Sequence, residues 1–313
     1  MLENLVLSIN IVLPLLLVMA AGYGARAAGM LSETTVTQVN NLCFRVFMPI
    51  MLMNNIRRAS LAGVSGVSAL LFSAVGLLVL FAVLMLVIPK IVRENPRRGV
   101  IVQALFRSNY ALFGMAVLSS MYPGDDLALP SLMIPVSVPI YNVLAVICLE
   151  AFRGGQVSPG KLVGKIARNP LILGCAAGLV LMLLGNPVPK FLDDALLDLG
   201  KIATPLALFI LGASFRLDAL RGNGRAIAWV TADKLVVVPL VVMAIAIAAG
   251  YRDQALASLL IAFGGPIAVS SFTMAQQMDG DADLAAELVV STTLFSVLTL
   301  FVFIFAFKML GLV

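Results

Sequence analysis

The chain has 313 residues, of which 61% are hydrophobic and 12% charged, with no histidine, a formal net charge of +5 and a mean hydropathy of +1.06. Soluble domains carry about 25% charged residues, so the composition excludes a water-soluble globule, and zero histidine removes the commonest general base and metal ligand. The apolar residues fall in blocks of about twenty, so lipid is the solvent and the chain reads as an all-α membrane protein.

In chain order the blocks predict ten spans, near residues 5–26, 36–56, 66–89, 99–121, 128–151, 168–185, 196–215, 226–249, 254–276 and 284–309. The period-2 alternation of barrel strands is missing. Met1-Leu2-Glu3 lacks a basic n-region, so the first block reads as a retained helix rather than a signal peptide. Alternate loops then separate by charge. One set carries Arg26, then Lys90, Arg93, Arg97 and Arg98, then Arg153, Lys161, Lys165 and Arg168, then Arg216, Arg221 and Arg225. The other carries Arg57 and Arg58, then Lys190, then Arg252. Cations collect in the cytoplasm, which predicts that the first set is cytoplasmic and both termini face outward. The loop with Asp279, Asp281 and Asp283 runs against that trend. The positive balance faces anionic lipid headgroups, so nucleic acid is not needed as a partner. Cys43, Cys148 and Cys175 lie inside apolar blocks without CxxC spacing and read as small hydrophobes.

The chain repeats itself. Pro14-Leu15 returns as Pro170-Leu171, Ala20-Ala21-Gly22 as Ala176-Ala177-Gly178, Arg45 as Lys201 and Pro49 as Pro205, each displaced by 156 residues. Tyr141-Asn142-Val143-Leu144 resembles Phe295-Ser296-Val297-Leu298 with a two-residue slip. Each half then holds five spans, an odd number, so the second half is inverted relative to the first, as in secondary transporters that work by alternating access. The halves are residues 1–151 and 168–313. Residues 152–167, with Gly154, Gly155, Pro159 and Gly160, form a cytoplasmic linker.

In inverted-repeat carriers the substrate sits at the midplane beside interrupted helices. The ninth span contains Phe263-Gly264-Gly265-Pro266 followed by Ser270, Ser271 and Thr273, and the repeat offset carries Pro266 onto Tyr110, next to Arg107, Ser108 and Asn109 and four residues before Gly114. Charge inside the membrane is the second filter, because each such group costs at least ~2.5 kcal/mol at the helix centre. Arg107 and Lys234 each lie nine residues past a cytoplasmic arginine, roughly 13 Å deep. Asp233 adjoins Lys234, and a buried pair of Lys234 with Asp233 or another carboxylate, merely holding helices together, is the structural alternative. Arg45 and Lys201 are shallower and fit snorkelling to the interface. Intramembrane cations outnumber anions, which favours an anionic substrate.

Leu13-Pro14-Leu15 with Gly22-Tyr23-Gly24, Phe47-Met48-Pro49, Phe106-Arg107-Ser108-Asn109, Tyr141-Asn142-Val143-Leu144-Ala145-Val146, Asn169-Pro170-Leu171-Ile172, Thr204-Pro205-Leu206-Ala207-Leu208 leading to Gly212-Ala213-Ser214, and Lys234 with Pro239 together resemble the auxin efflux carrier family in its shorter bacterial form. That family is similar in fold to the plant PIN auxin exporters and the bile acid–sodium symporters. The resemblance implies an elevator carrier: spans 1, 2, 6 and 7 a dimerising scaffold, spans 3–5 and 8–10 a mobile transport unit, and spans 4 and 9 crossing at its centre. It places Asn109 and Pro266 at the crossing, has Asn142 and Lys234 line or support the site, and implies small acids such as malate or malonate as substrates. Family members carry a proline soon after the glycine of span 4, where this chain has Gly114-Met115, so the break point in that helix stays open.

The expected substrate-binding set is therefore Arg107, Asn109, Tyr110, Gly114, Asn142, Lys234, Gly265, Pro266, Ser270 and Ser271, with no catalytic residue, metal or cofactor. Coupling is open: Asp233 is the candidate proton carrier, carbonyls near Gly264-Gly265 the candidate sodium ligands, and uncoupled movement the third option. A sodium- or proton-coupled symporter of a larger amphipathic acid is the alternative. Remoter options are an intramembrane enzyme, for which a Ser271–Lys234 pair or an aspartate pair is all that histidine-free chemistry leaves, a channel, and a receptor on a carrier fold.

Overall fold

The computed structural model describes residues 2–58, 67–122, 127–153, 159–216 and 219–313. Every regular element among them is helical: α1 (Leu2–Ala27), α2 (Glu33–Leu42), α3 (Met48–Arg57), α4 (Val67–Ile91), α5 (Asn95–Phe106), α6 (Met115–Met121), α7 (Ala128–Ala151), α8 (Pro159–Ala167), α9 (Pro170–Leu183), α10 (Lys190–Ser214), α11 (Ala219–Ala232), α12 (Val238–Ala248), α13 (Asp253–Gly264), α14 (Ser270–Gln277) and α15 (Ala282–Met309). Among the described residues five helices are long and apolar enough to cross a membrane, namely Val67–Ile91, Leu129–Ala151, Lys190–Ser214, Asn223–Ala248 and Ala282–Met309. Leu13–Ala27, Pro170–Leu183 and Asp253–Gly264 are shorter apolar helices. Leu71, Val75, Leu78 and Leu86 on α4 and Phe295, Leu298 and Val302 on α15 face outward, a belt that only hydrocarbon can solvate at low cost. The predicted linker is partly helical: α8 occupies Pro159–Ala167, while Gly154 and Gly155 lie outside the described residues.

Helix starts follow local chemistry. Ser32 Oγ accepts from the Thr35 N–H at 3.0 Å, Asn169 Oδ1 from Leu171 at 2.9 Å with Pro170 in the first turn, and Asp281 Oδ1 from Leu284 at 3.0 Å. Two of the internal prolines are absorbed by π turns. Cys43–Phe47 joins α2 to α3 and ends two residues before Pro49; Asp233–Val237 joins α11 to α12 and ends two residues before Pro239. The N–H groups of Met48 and Val238 reach back five residues, to Cys43 and Asp233. Widening the turn moves the carbonyls that a proline ring otherwise strikes. Cys43, Cys148 and Cys175 are free and buried, as their apolar setting predicts.

Two close helix pairs are built on glycine. A Cβ on Gly22 of α1 would lie 1.9 Å from the Phe209 carbonyl oxygen of α10, and one on Gly212 equally close to the Met19 oxygen. On α9, a Cβ at Gly174 would come within 2.5 Å of the Pro49 oxygen and one at Gly178 within 2.7 Å of the Met53 oxygen of α3. Without side chains at these points the backbones meet directly, the standard means of helix association in lipid.

The acidic loop that ran against the charge trend is matched by neighbours at the same end of the bundle. Asp279 pairs with Arg153 at 2.7 Å and Asp281 with Arg97 at 3.4 Å. At another contact, between the ends of α3 and α10, Asp193 pairs with Arg58 and, at 2.5 Å, with the fully buried Arg57.

Candidate functional site

The site forms where two helices stop short. α5 ends at Phe106, and Arg107 continues with extended backbone (φ −90°, ψ 126°). Helical winding resumes at Tyr110, in a π turn over Tyr110–Gly114 that runs into α6. The break in this helix therefore lies at Arg107–Asn109, ahead of Gly114, which packs against Ile261 and the Tyr110 ring. α13 ends at Gly264, Gly265 is extended (φ −66°, ψ 158°), and α14 starts at Ser270.

Backbone groups released at the breaks find named partners, as buried backbone must. Asn109 N–H donates to the Pro266 carbonyl at 2.7 Å, tying one break to the other. Ile267 N–H donates to Thr292 Oγ1 at 3.2 Å, Tyr141 Oη to the Ala262 carbonyl at 2.7 Å, and Gln103 Nε2 to the Ser271 carbonyl at 3.0 Å.

The two deep cations part company here. Lys234 is 0% exposed, and its Nζ donates to Ser108 Oγ at 2.8 Å, to the Phe263 carbonyl at 3.0 Å and to the Leu105 carbonyl at 3.4 Å. It does not line the cavity described below. Among the described residues it forms no ion pair with Asp233, which is half-buried, and no hydrogen bond with Ser271. Ser271 Oγ is buried without a hydrogen-bond partner.

Arg107 is 2% exposed. Its Nη2 donates to Asn142 Oδ1 at 2.7 Å and to Ser270 Oγ at 2.6 Å, and its Nη1 to Met274 Sδ at 2.7 Å. All three acceptors are neutral, and a thioether is a weak one. Asn142 is itself aimed by a bond from its Nδ2 to the Val138 carbonyl at 2.8 Å, which leaves its oxygen for Arg107. Among the described residues no carboxylate pairs with this guanidinium.

Arg107 faces a cavity of about 70 Å³, several times the ~10–15 Å³ that one water requires. Asn109, Tyr110, Asn142 and Ser270 line it together with Arg107. The opposite wall comes from α3 and α10: Met48, Met51, Asn55, Ala203, Thr204 and Ala207. The side-chain amides of Asn55 and Asn109 make no hydrogen bond within the described residues and are free to meet a ligand. Of the residues expected to bind substrate, Gly114, Lys234, Gly265, Pro266 and Ser271 lie behind this surface. Gly265 and Pro266 contribute carbonyls to the break, since Ser108 Oγ donates to Gly265 at 3.4 Å.

Toward the end bearing Arg153 and Arg168, a larger cavity of about 600 Å³ opens, lined by Phe44, Arg45, Glu150, Arg153, Lys165 and Arg168 among others. Glu150 is neutralised by Arg153 at 2.9 Å and Lys165 at 3.4 Å, while Arg45 and Arg168 have no ion-pair partner among the described residues. Arg45 thus lines this open, basic vestibule. Phe44 and Met278 line the vestibule; one turn on from them, Met48 lines the inner cavity and Met274 meets Arg107.

Over residues 7–158 and 156–304 the sequence matches the family described as Membrane transport protein. The chain belongs to this family. The match bears out the resemblance to the auxin efflux carriers, and with the apolar helices it makes the chain a multi-pass membrane transporter. A protein of Rhizobium meliloti (strain 1021) named "Putative malonate transporter" is similar, 26% identical over 218 residues that cover 65% of this chain and 67% of that protein. For a transporter, the geometry offers a buried cation with no counter-charge among the described residues, beside a largely apolar cavity with a few polar groups at two helix breaks.

Proposed function

We propose that this transporter carries small organic anions, holding a carboxylate against Arg107. The observation that carries the proposal is the Arg107 guanidinium itself: 2% exposed, bonded only to neutral acceptors, and facing a cavity. Burying an unpaired charge is costly unless a ligand completes it, and a guanidinium fork matches a carboxylate in two parallel hydrogen bonds. The bond to Met274 is the one a carboxylate oxygen displaces most cheaply. Asn55, Asn109 and Thr204 supply polar contacts for the rest of the molecule, and the helix starts at Tyr110 and Ser270 add positive partial charge. The small cavity favours a short acid over a bile-acid- or auxin-sized one, and the name of the Rhizobium relative agrees with a dicarboxylate of malonate size.

The architecture we infer is ten crossings in a 5+5 inverted repeat with the fourth and ninth crossing at their breaks. The glycine contacts support it. Gly22 meets Phe209 where Gly178 meets Met53, and each member of one pair is displaced by 156 residues from its counterpart in the other. The segments leading into the breaks, α5 and α13, are both 12 residues long. In this reading α1, α2–α3, α9 and α10 form the scaffold, which also dimerises, and α4–α7 with α11–α15 form the transport unit. The cavity lies between the two, where a vertical slide of one against the other exposes it to alternate sides. The basic vestibule is the cytoplasmic approach to it, in a bacterial inner membrane with both termini outside.

The test is uptake of radiolabelled malonate, malate, a sugar and an organic cation into proteoliposomes. Carboxylate uptake that disappears in Arg107→Gln is the expected result; unchanged uptake in that variant, or uptake of neutral and cationic solutes alone, overturns the proposal.

A further inference from the structure

We propose that Lys234 is the resident cation of the helix crossing: its ammonium occupies the place where the negative ends of α5 and α13 meet, so the transporter needs no sodium there. Its three partners all accept. Leu105 and Phe263 offer carbonyls from the last turns of the two half-helices. Ser108 directs its own hydroxyl hydrogen to the Gly265 carbonyl at 3.4 Å, so its oxygen faces Lys234 as an acceptor. Three acceptors within 3.4 Å match the three N–H bonds of an ammonium, and the amine has no donor to turn toward.

The charge inventory agrees. A helix C-terminus carries about −0.5 elementary charge, and two such ends converge on one nitrogen. Their sum is about one negative charge, which a single ammonium cancels. No carboxylate among the described residues takes part, so removing the ammonium leaves the two ends facing each other in a dry interior. Carbonyls at the ends of broken helices are the groups that hold coupling sodium in other carriers. In this chain a side chain anchored on the helix of α11 and α12 fills that role, fixing the geometry that aims Arg107. Lys234 is thus a positioning residue.

The inference rests on the chain being a transporter but not on the carboxylate site, and its test contains no substrate. Thermal unfolding of the purified full-length protein is followed in sodium, potassium and choline chloride at matched ionic strength, for the wild type, Lys234→Met and Ser108→Ala. The wild type and Ser108→Ala are expected to melt at the same temperature, each within itself, in all three salts. Lys234→Met is expected to melt several degrees lower in choline and to regain part of the loss in sodium specifically, because the vacated carbonyls then accept an ion. A sodium-specific rise in the wild type overturns the inference, as does a Lys234→Met protein that melts like the wild type in choline. Should Lys234→Met fail to fold, the other two decide: sodium-specific stabilisation of either overturns the inference, and its absence from both supports it. A carboxylate site that fails its own test leaves these readings untouched.

Discussion

Replacing Gly22 by alanine puts the backbone packing of α1 on α10 to a quantitative test. The added Cβ would stand 1.9 Å from the Phe209 carbonyl oxygen and 2.8 Å from its carbon, where ordinary contact begins near 3.4 Å. Both partners are backbone, so no rotamer can yield and the helices must part by about 1.5 Å. Overpacking of this kind costs ~1–3 kcal/mol, and a rigid obstacle belongs at the upper end. Alanine returns up to ~1 kcal/mol in helix propensity. The net loss of about 1–2 kcal/mol lowers the melting temperature by roughly 1.5–3 °C in a chain of this size. Gly24 supplies the control two residues away: a Cβ there meets nothing within 4 Å, so Gly24→Ala should melt at or above the wild type. Gly178→Ala, at 2.7 Å from Met53, should fall between them. Differential scanning fluorimetry of detergent-purified protein reads all three. A Gly22→Ala protein as stable as the wild type, or Gly24→Ala as the least stable, would refute the packing argument.

Other consequences follow from the polar contacts. Asn142→Asp places a carboxylate where Arg107 now meets an amide oxygen at 2.7 Å; the internal ion pair should raise thermal stability and abolish carboxylate uptake, and uptake that survives would show that Arg107 is not the anion ligand. Asp193→Asn removes the anion from the buried Arg57, although Asn54 and Asn186 still accept from it at 2.8 and 3.0 Å; melting should fall by a few degrees, an effect that Arg58→Gln, at an exposed position, should not reproduce. Removing both unpaired vestibule cations, Arg45→Gln with Arg168→Gln, should raise the KM for a dianion in right-side-defined uptake assays and weaken its salt dependence, with the maximal rate kept.

What could be read from residue order was position along each helix. Apolar blocks locate α4, α7 and α15 to within a few residues, Phe263-Gly264-Gly265-Pro266 marks the end of α13, and counting from Arg98 and Arg225 puts Arg107 and Lys234 at similar depth. Direction around the helix axis was not readable. Lys234 has a long, flexible stem on a π turn, and an i+5 turn rotates every following residue out of the ordinary 3.6 register; its ammonium therefore lands on carbonyls of two other helices, while Arg107, on extended backbone, faces the cavity. Ser271 turns inward and its neighbour Ser270 turns to Arg107 for the same reason of azimuth. The wall from α3 and α10 was missed because Met48, Met51 and Ala203 carry no chemical signal of their own; Asn55 and Thr204, polar residues beside repeat-related prolines, were the available clue. In the fourth span the sequence left the break point open; the chain opens at Arg107–Asn109, ahead of Gly114, where the Leu105 carbonyl accepts from Lys234 and the Asn109 N–H donates to the Pro266 carbonyl.

The central claim is that Arg107 awaits a carboxylate. Isothermal titration of malonate into the purified wild type and into Arg107→Gln tests it without any assumption about direction or coupling. Truncating one side of a buried, hydrogen-bonded charge pair costs ~2–5 kcal/mol, so the account predicts binding to the wild type and a loss of at least about 30-fold in the variant. Equal affinity in the two proteins would contradict it.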